Sequence, residues 1–471
     1  MTYILILLST LFFLTACGNN TLSSNIEETS INPEPAVPTT PDPVTPTTPD
    51  PVTPTNSNKL GKLQISADKR MIQYDDGTGF FWMGDTAWEM PIELNREEVD
   101  LYMQDRKNKG FSVIQISAVQ SKNFLYNAYG DRAFTSNYSQ PNEVYWKHID
   151  YIIESAKKNN LYIALLPSWH YALTTISEAK LYGRWISERY QNKDNIIWVV
   201  GGDSNADLEN KKSVWNALGN AINNVVGSNQ LITYHPSGAS SSSQWFHNET
   251  WLDFNMIQSG HCAKISFGND LIKVAYKKSQ IKPVLDGEPR YETIEECFKR
   301  GNYRFQAKDI RQITYSQLFS GAFGHTYGHH SIWQKYKNGD NFIAGEPTKE
   351  WQDALNDEGA RHMAHVAKLM RSRPILGRVP DQSMIQSGTA IATRGAGYAF
   401  LYLPKGGSVT INLGKISGNN VKAWWYNPRT GEATAIATYP NSGIKNFSTV
   451  NEDMVLVLDD VAKGYETPGL L

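Results

Sequence analysis

Beyond residue 80 the chain alternates short apolar runs with longer segments in which apolar positions return every three or four residues. The runs are FFWMG (80–84), FSVIQIS (111–117), LYIALLP (161–167), IIWVVGG (196–202), LITYH (231–235), NMIQS (255–259), KPVLDG (282–287) and AFGHTYG (322–328). Most are continuously apolar rather than alternating, as strands covered on both faces should be. Segments 96–110, 143–160, 178–190, 213–225 and 303–320 carry helical periodicity, the first stopping at Gly110. Eight strand–helix units in a row predict an α/β fold, a (β/α)8 TIM barrel over 59–372. An open doubly wound sheet fits less well, because no GxGxxG follows the first run. A hairpin pattern over 63–80 leads into the first barrel strand.

After Arg373-Pro374 the period changes. Short alternating runs broken by Gly, Asn and Pro, with a turn at 427–431 (NPRTG), predict a C-terminal all-β sandwich over 373–462 and a tail at 463–471. No Pro/Gly/Ser-rich linker separates Arg371 from Ile375, so this domain is expected to pack on the barrel.

The other end of the chain reads differently. Residues 4–14 (ILILLSTLFFL) have the length of a signal-peptide core and are too short to span a bilayer. They run into Leu14-Thr15-Ala16-Cys17, which resembles the bacterial lipobox, although no Lys or Arg precedes the apolar run. The expectation is removal of 1–16 and lipidation of Cys17, whose acyl chains would make a membrane a partner. Residues 17–58 are Pro/Thr-rich, with PDPVTP repeated at 41–46 and 49–54, and read as a semi-rigid tether. Gly18 carries no acidic retention signal, so the expected location is the cell envelope, at the outer membrane.

Composition narrows the partners. Lys+Arg 45 against Asp+Glu 47 gives a net charge of -2, which argues against nucleic acid. The 13 Trp, 24 Tyr and 17 Phe suit sugar-binding clefts and large cores alike. A monomer is expected. Besides Cys17 only Cys262 and Cys297 remain; they could pair or stay free, and their spacing matches no zinc pattern.

In a barrel the chemistry sits at the carboxyl ends of the strands. Those ends offer Asp85 and Trp88; Trp169 and His170; Asp203, Ser204 and Asn205; His235; and His261. The last two runs offer Asp286, Glu288 and Tyr291, then His325, Tyr327 and Trp333. Asp203 after the fourth strand and Glu288 after the seventh could flank a glycosidic bond as acid and nucleophile. The plainer readings are a helix N-cap for Asp203 and an ion pair with Arg290 for Glu288. The first strand has no histidine and HTYGHH at 325–330 is no HExxH, so neither metal nor cofactor is expected. The histidines are expected to bond sugar hydroxyls or orient the carboxylates. The substrate-binding candidates are Asp85, Trp88, His170, Asn205, His235, Tyr291, His325, Tyr327 and Trp333. The Ser-rich stretch 238–243 reads as mobile and cleft-lining.

Four ordered motifs carry a resemblance: FWMGDTAW (81–88), GGDSN (201–205), DGEPRYE (286–292) and GHTYGH (324–329) with Ile332-Trp333-Gln334. Together they resemble the apiosidase-like glycoside hydrolases of family 140. The resemblance implies a barrel that cleaves apiose-containing linkages of the pectin rhamnogalacturonan II by a retaining mechanism. It also implies an acid/base after the fourth strand and a nucleophile after the seventh, which fall on Asp203 and Glu288. The trailing module, with WWYNPRTG at 424–431, resembles the collagen-binding-like β domain that habitually follows this barrel. The competing reading is a catalytically inactive lipoprotein that binds carbohydrate or host matrix.

Overall fold

The computed structural model describes residues 60–471 except 121–125, 170–171, 208–210, 263 and 342–343. The leader, Cys17, the whole Pro/Thr-rich stretch and His170 therefore lie outside the described residues. Eight strands form the barrel: β1 (Trp82–Thr86), β2 (Val113–Ser117), β3 (Tyr162–Leu166), β4 (Ile196–Ser204), β5 (Ile232–Pro236), β6 (Asn255–Gln258), β7 (Val284–Asp286) and β8 (Gly324–Tyr327). Parallel ladders join β1 through β5 in order, then β6 to β7, β7 to β8 and β8 back to β1. Between β5 and β6 the seam is closed by three bonds instead of a ladder. Asp253 N donates to Ile232 O at 2.9 Å, Ile232 N to Asp253 Oδ2 at 2.7 Å, and Thr233 Oγ1 to Phe254 O at 2.7 Å.

The surrounding helices are α1 (Arg96–Asn108), α2 (Glu143–Lys158), α3 (Ile176–Tyr190), α4 (Lys211–Val226), α5 (Ile265–Tyr276), α6 (Ala307–Phe319) and α7 (Glu358–Arg371). Asn95 and Thr175 open α1 and α3 with reciprocal capping bonds to Glu98 and Glu178. The fifth connection departs from the expected strand–helix unit. A short strand, Ser240–Ser241, and a 3-10 turn, Ser242–Gln244, stand where a helix was expected. Nor is the Ser-rich stretch loose: Ser240 to Ser243 are buried, and Ser241 and Ser240 pair antiparallel with Ile257 and Gln258. Serine hydroxyls make this possible by bonding Asn205, Asn255 and one another, which satisfies polar groups that a buried loop would otherwise strand.

Strand alternation sorts the barrel's side chains into two cores. Trp82, Val113, Ala164, Val199, Met256 and Leu285 fill the interior, and the hairpin residues Leu63, Ile72 and Tyr74 plug its amino end. Met83, Ile114, Leu165, Trp198 and Tyr234 face outward into the helix layer. This two-sided burial is why the runs are continuously apolar.

The C-terminal strands form two antiparallel sheets. One runs in the order Val379–Pro380, Ile391–Arg394, Tyr398–Leu403, Met454–Asp460, Asn420–Tyr426, Ala433–Pro440; the other pairs Ile385–Ser387, Gly407–Asn412 and Ile444–Thr449. Ala399, Leu401, Val409, Ile411, Val421 and Leu456 fill the space between them. The opposite face of the larger sheet packs on the barrel: Tyr402 stacks on Tyr315 and Phe400 on Phe319, both from α6. Among the described residues no helix is long and apolar enough to cross a membrane.

Candidate active site

At the end of β4 the ladder slips between Gly201 and Ser204. Gly201, Gly202 and Asp203 have φ of +99°, +97° and +48°. A Cβ on Gly201 would lie 2.6 Å from His235 O, and one on Gly202 2.9 Å from the Trp169 ring, so both positions need glycine on space as well as on backbone. The bulge re-aims the chain, as bulges beside active sites do. Ser204 returns to the helix side, its Oγ accepting from Trp215 Nε1 at 2.9 Å, while Asp203 N points back to His235 Nδ1 at 3.4 Å.

Glu288 follows β7 and is buried. His235 Nε2 lies 3.2 Å from its Oε2 and His261 Nε2 3.1 Å from its Oε1, so each carboxylate oxygen has an imidazole against it. The turn that carries Glu288 is fixed by Asp286 Oδ1, which accepts from the backbone N–H of Ser259 and of Glu288, each at 3.2 Å. Gln317 on α6 secures the other oxygen of Asp286 at 2.6 Å, and Gln115 Nε2 reaches across the barrel to Gly287 O at 2.8 Å.

The two carboxylates are driven apart electrically. Asp203 is raised to about 6, first by desolvation and then by the negative charge of Glu288. Desolvation pushes Glu288 upward too, but hydrogen bonds from His235 and His261 outweigh it and hold the group at about 2. His235 shows the counterpart: burial works against its charge, yet the bond to Glu288 raises it above the usual histidine value. One oxygen of Asp203, one of Glu288 and a ring nitrogen of His235 lie within 4.8 Å of one another. By residue type that trio could hold a metal ion. The bonding argues otherwise: if Nδ1 accepts from Asp203 N–H, the proton of the ring sits on Nε2 facing Glu288, and no lone pair is left for a cation.

Aromatic rings wall the cleft. Trp88 meets Trp169 and His235 at 5.2 and 5.3 Å between ring centroids, and Tyr291 lies 4.5 Å from His261. Trp333 is half-buried, packs on Tyr291, Ile294 and Phe305, and its carbonyl accepts from Glu89 N at 3.1 Å. Asn205 sits at the rim, its Oδ1 accepting from Ser237 and Ser240. The structure therefore gathers Trp88, Asn205, His235, Tyr291 and Trp333 around the pair Asp203 and Glu288.

Three expected substrate contacts point elsewhere. Asp85 is fully buried on the helix side of β1, where Arg106 Nε and Tyr102 OH of α1 each approach its Oδ2 at 2.5 Å. His325 faces α6 and Thr314 Oγ1 lies 2.9 Å from its Nε2; burial alone pushes it down to about 3, so it is a neutral packing group. Tyr327 bonds Glu292 Oε2 at 2.6 Å in the same outer layer. Alternation is the reason: Trp82, Gly84 and Thr326 face inward, as Trp82 Nε1 bonding Thr326 Oγ1 at 3.1 Å shows, and that turns Asp85, His325 and Tyr327 outward.

Two further groups join the pair. His261, a strand-end histidine outside the expected substrate contacts, stands against Glu288. Gln258, whose side chain bonds Asp203, is the last residue of β6. It shares the inward face with Met256 two residues earlier, a facing set by the register with neighbouring strands. Cys262 and Cys297 are paired in the structure, with Cα atoms 4.6 Å apart, which decides between the two readings of these thiols.

Comparison with known proteins is consistent with this architecture. The family model described as "Apiosidase-like, catalytic domain" matches residues 66–377, and the model described as "Putative collagen-binding domain of a collagenase" matches 379–459. A solved glycoside hydrolase is 34% identical, with a TM-score of 0.82 over 86% of this chain and 99% of its own. A solved glycoside hydrolase family 5 protein from Bacteroides vulgatus is 35% identical, with a TM-score of 0.82 over 87% of this chain and 95% of its own. Curated proteins give no match.

Proposed function

The chain belongs to the apiosidase-like family and is a glycoside hydrolase, and we propose that it cleaves apiose-containing linkages of rhamnogalacturonan II with retention of anomeric configuration. The observation that carries the mechanism is the pair Asp203 and Glu288, with one oxygen of each within 4.8 Å and acidities pushed in opposite directions. Retaining enzymes hold their carboxyl groups about 5–5.5 Å apart, whereas inverting ones need roughly 6.5–9.5 Å to admit a water. The short separation supports retention.

Glu288, ionised, attacks the anomeric carbon while Asp203, protonated, gives its proton to the departing glycosidic oxygen. The C–O bond breaks, the aglycone leaves as an alcohol, and a glycosyl ester forms on Glu288. Asp203, now a carboxylate, takes a proton from water as the water oxygen attacks the same carbon, and Glu288 is released. His235 and His261 stabilise the charge on Glu288 before attack and after release. Trp88, Trp333 and Tyr291 supply the apolar walls on which a sugar ring rests.

The substrate is tested by incubating the purified head domain with a panel of pectic oligosaccharides and identifying the sugar set free. Proton NMR of the first product, before mutarotation, reads the stereochemistry. Release of apiose with retained configuration is expected; an inverted product rejects the nucleophilic role of Glu288. The tethered location is part of the same proposal. Cys17→Ala is expected to remove lipid labelling and shift the protein to the soluble fraction, and unchanged membrane fractionation would remove the anchor from the account.

A further inference from the structure

The lobe after β7 carries features that neither the acid nor the nucleophile requires. Cys297 and Phe298 both sit in left-handed backbone, with φ of +59° and +54°. Two successive non-glycine residues in that region crowd Cβ against the backbone, so the surrounding structure must hold them there. It does so from several sides. Cys297 is bonded to Cys262 and its N–H donates to His261 O at 3.1 Å. Glu296 N donates to Tyr303 O at 2.8 Å, and Glu295 pairs with Arg304 across the base of the lobe.

What this scaffold presents is a phenylalanine with 44% of its surface exposed. The ring stands edge-to-face against His261, centroids 5.0 Å apart, and His261 is the imidazole on Glu288 Oε1. Phe298 is thus one imidazole away from Glu288, on a lobe tied down by the disulfide and backbone bonds, and nearly half exposed. A lone exposed apolar residue needs no explanation. One kept in strained backbone beside a reacting carboxylate does.

We propose that Phe298 is the stacking platform of a sugar subsite adjoining the reacting ring, held in place by the Cys262–Cys297 bridge. The ligand class is a pyranose: its axial C–H groups form an apolar, electropositive face that matches the electron-rich face of the ring. The inference rests on the glycosidase reading above, because the subsite is defined by its distance from Glu288.

The test is glycan binding by Glu288→Gln protein, measured by calorimetry with pectic, xylan and mannan oligosaccharides of increasing length, alone and combined with changes at Phe298. Phe298→Ala is expected to weaken the best-bound oligosaccharide tenfold or more, equivalent to ~1.4 kcal/mol. Phe298→Trp should restore affinity. Phe298→Leu should not, although leucine still covers His261. In otherwise wild-type enzyme, KM should rise with Phe298→Ala while the pH dependence of kcat keeps its shape, since a ring that only shields His261 would disturb Glu288 instead. Equal affinity of the Ala and parent proteins, or full rescue by Leu, overturns the subsite. Hydrolysis by wild-type enzyme with affinity indifferent to Phe298 rejects this inference alone. Phe298-dependent binding without any hydrolysis rejects the glycosidase reading and leaves the platform standing. Neither binding nor hydrolysis across the panel rejects both.

Discussion

Asp203 and Glu288 are chemically similar groups pushed to opposite acidities by their neighbours. For Asp203, desolvation and then Glu288's charge outweigh what His235, Gln258 and His261 offer its anion, while for Glu288 the bonds from two imidazoles outweigh desolvation. The pH dependence follows from the signs. In the proposed mechanism Asp203 acts while protonated, so kcat/KM should fall as pH climbs through about 6. Glu288 is useful while ionised, and at about 2 it should stay so across the whole working range, which puts its own acid limb far below the usual carboxylate region. A profile of kcat/KM from pH 3 to 9 checks this. Asp203→Ala should abolish the basic limb and lower turnover by about 10²–10⁴-fold, the usual contribution of a positioned acid, and by less for aglycones that leave without a proton. Glu288→Ala should lose essentially all turnover. His261→Ala should move the acid limb upward, because one of the two bonds holding Glu288 down is gone. A basic limb that survives Asp203→Ala would show that some other group delivers the proton.

Elements decide which way a residue faces, and this is where sequence reading reached its limit. The apolar runs and the 3.6-residue periods were legible because two-sided burial and amphipathic helices leave strong local patterns. That Asp203 and Glu288 come together was legible because position at a strand end, together with motif resemblance, singled both out. Facing was not legible in the same way. A continuously buried strand shows no alternation in its sequence, so nothing local marks Asp85 as outward and Gln258 as inward; the register with neighbouring strands does. The buried serines of 240–243 were missed for a related reason, since their hydroxyls are satisfied by partners distant in sequence. Two substitutions separate the roles. Asp85→Ala leaves Arg106 charged and buried, so it should cost about 3–5 kcal/mol of stability in denaturant titration, with KM unchanged in the protein that remains folded. A raised KM with stability intact would return Asp85 to the substrate. Gly202→Ala acts on the bulge: at φ +97° and with a Cβ 2.9 Å from Trp169, it must shift the backbone that aims Asp203. The strain is of the order of 1–3 kcal/mol, but the larger effect should be on kcat, about 10²-fold for a displacement near 1 Å. Wild-type kcat in that variant would mean the bulge tolerates a side chain.

At the scale of the whole molecule, barrel and β domain share one interface of rings and buried charge. Tyr315 and Phe319 on α6 stack on Tyr402 and Phe400, and Tyr426 OH donates to His365 O at 2.8 Å. Arg311 of α6 donates to Asp453 Oδ2 at 2.6 Å and sits 2.6 Å from His362 Nδ1, while Tyr402 OH donates to Asp453 Oδ1 at 2.6 Å. Arg378 caps the barrel side, its guanidinium donating to Leu318 O and Ala322 O at 2.6 and 2.7 Å. None of these contacts reaches the carboxylate pair, so the β domain should matter to folding more than to chemistry. His362 adds a pH term. Burial first, then the charge of Arg311, lowers it to about 3, so between that value and its ordinary 6.5 the unfolded chain binds a proton that the folded chain refuses. This contribution to stability should therefore fall as pH drops through that window; His325, lowered to about 3 by burial, works in the same direction, while Asp203 and Asp286, raised to about 6 chiefly by burial, work against it. Removing the β domain after residue 377 would bare Tyr315 and Phe319 and leave Arg311 without Asp453. The expected result is a barrel with a sharply lower melting temperature and a tendency to aggregate, whereas the full chain should melt in one cooperative transition. Arg311→Ala should reproduce part of the loss by stranding Asp453, at a cost of about 3–5 kcal/mol. If the truncated barrel stayed monomeric and as thermostable as the full chain, or the full chain melted in two independent steps, the interface would be an accessory contact and the two folds would be separate in energy as well as in sequence.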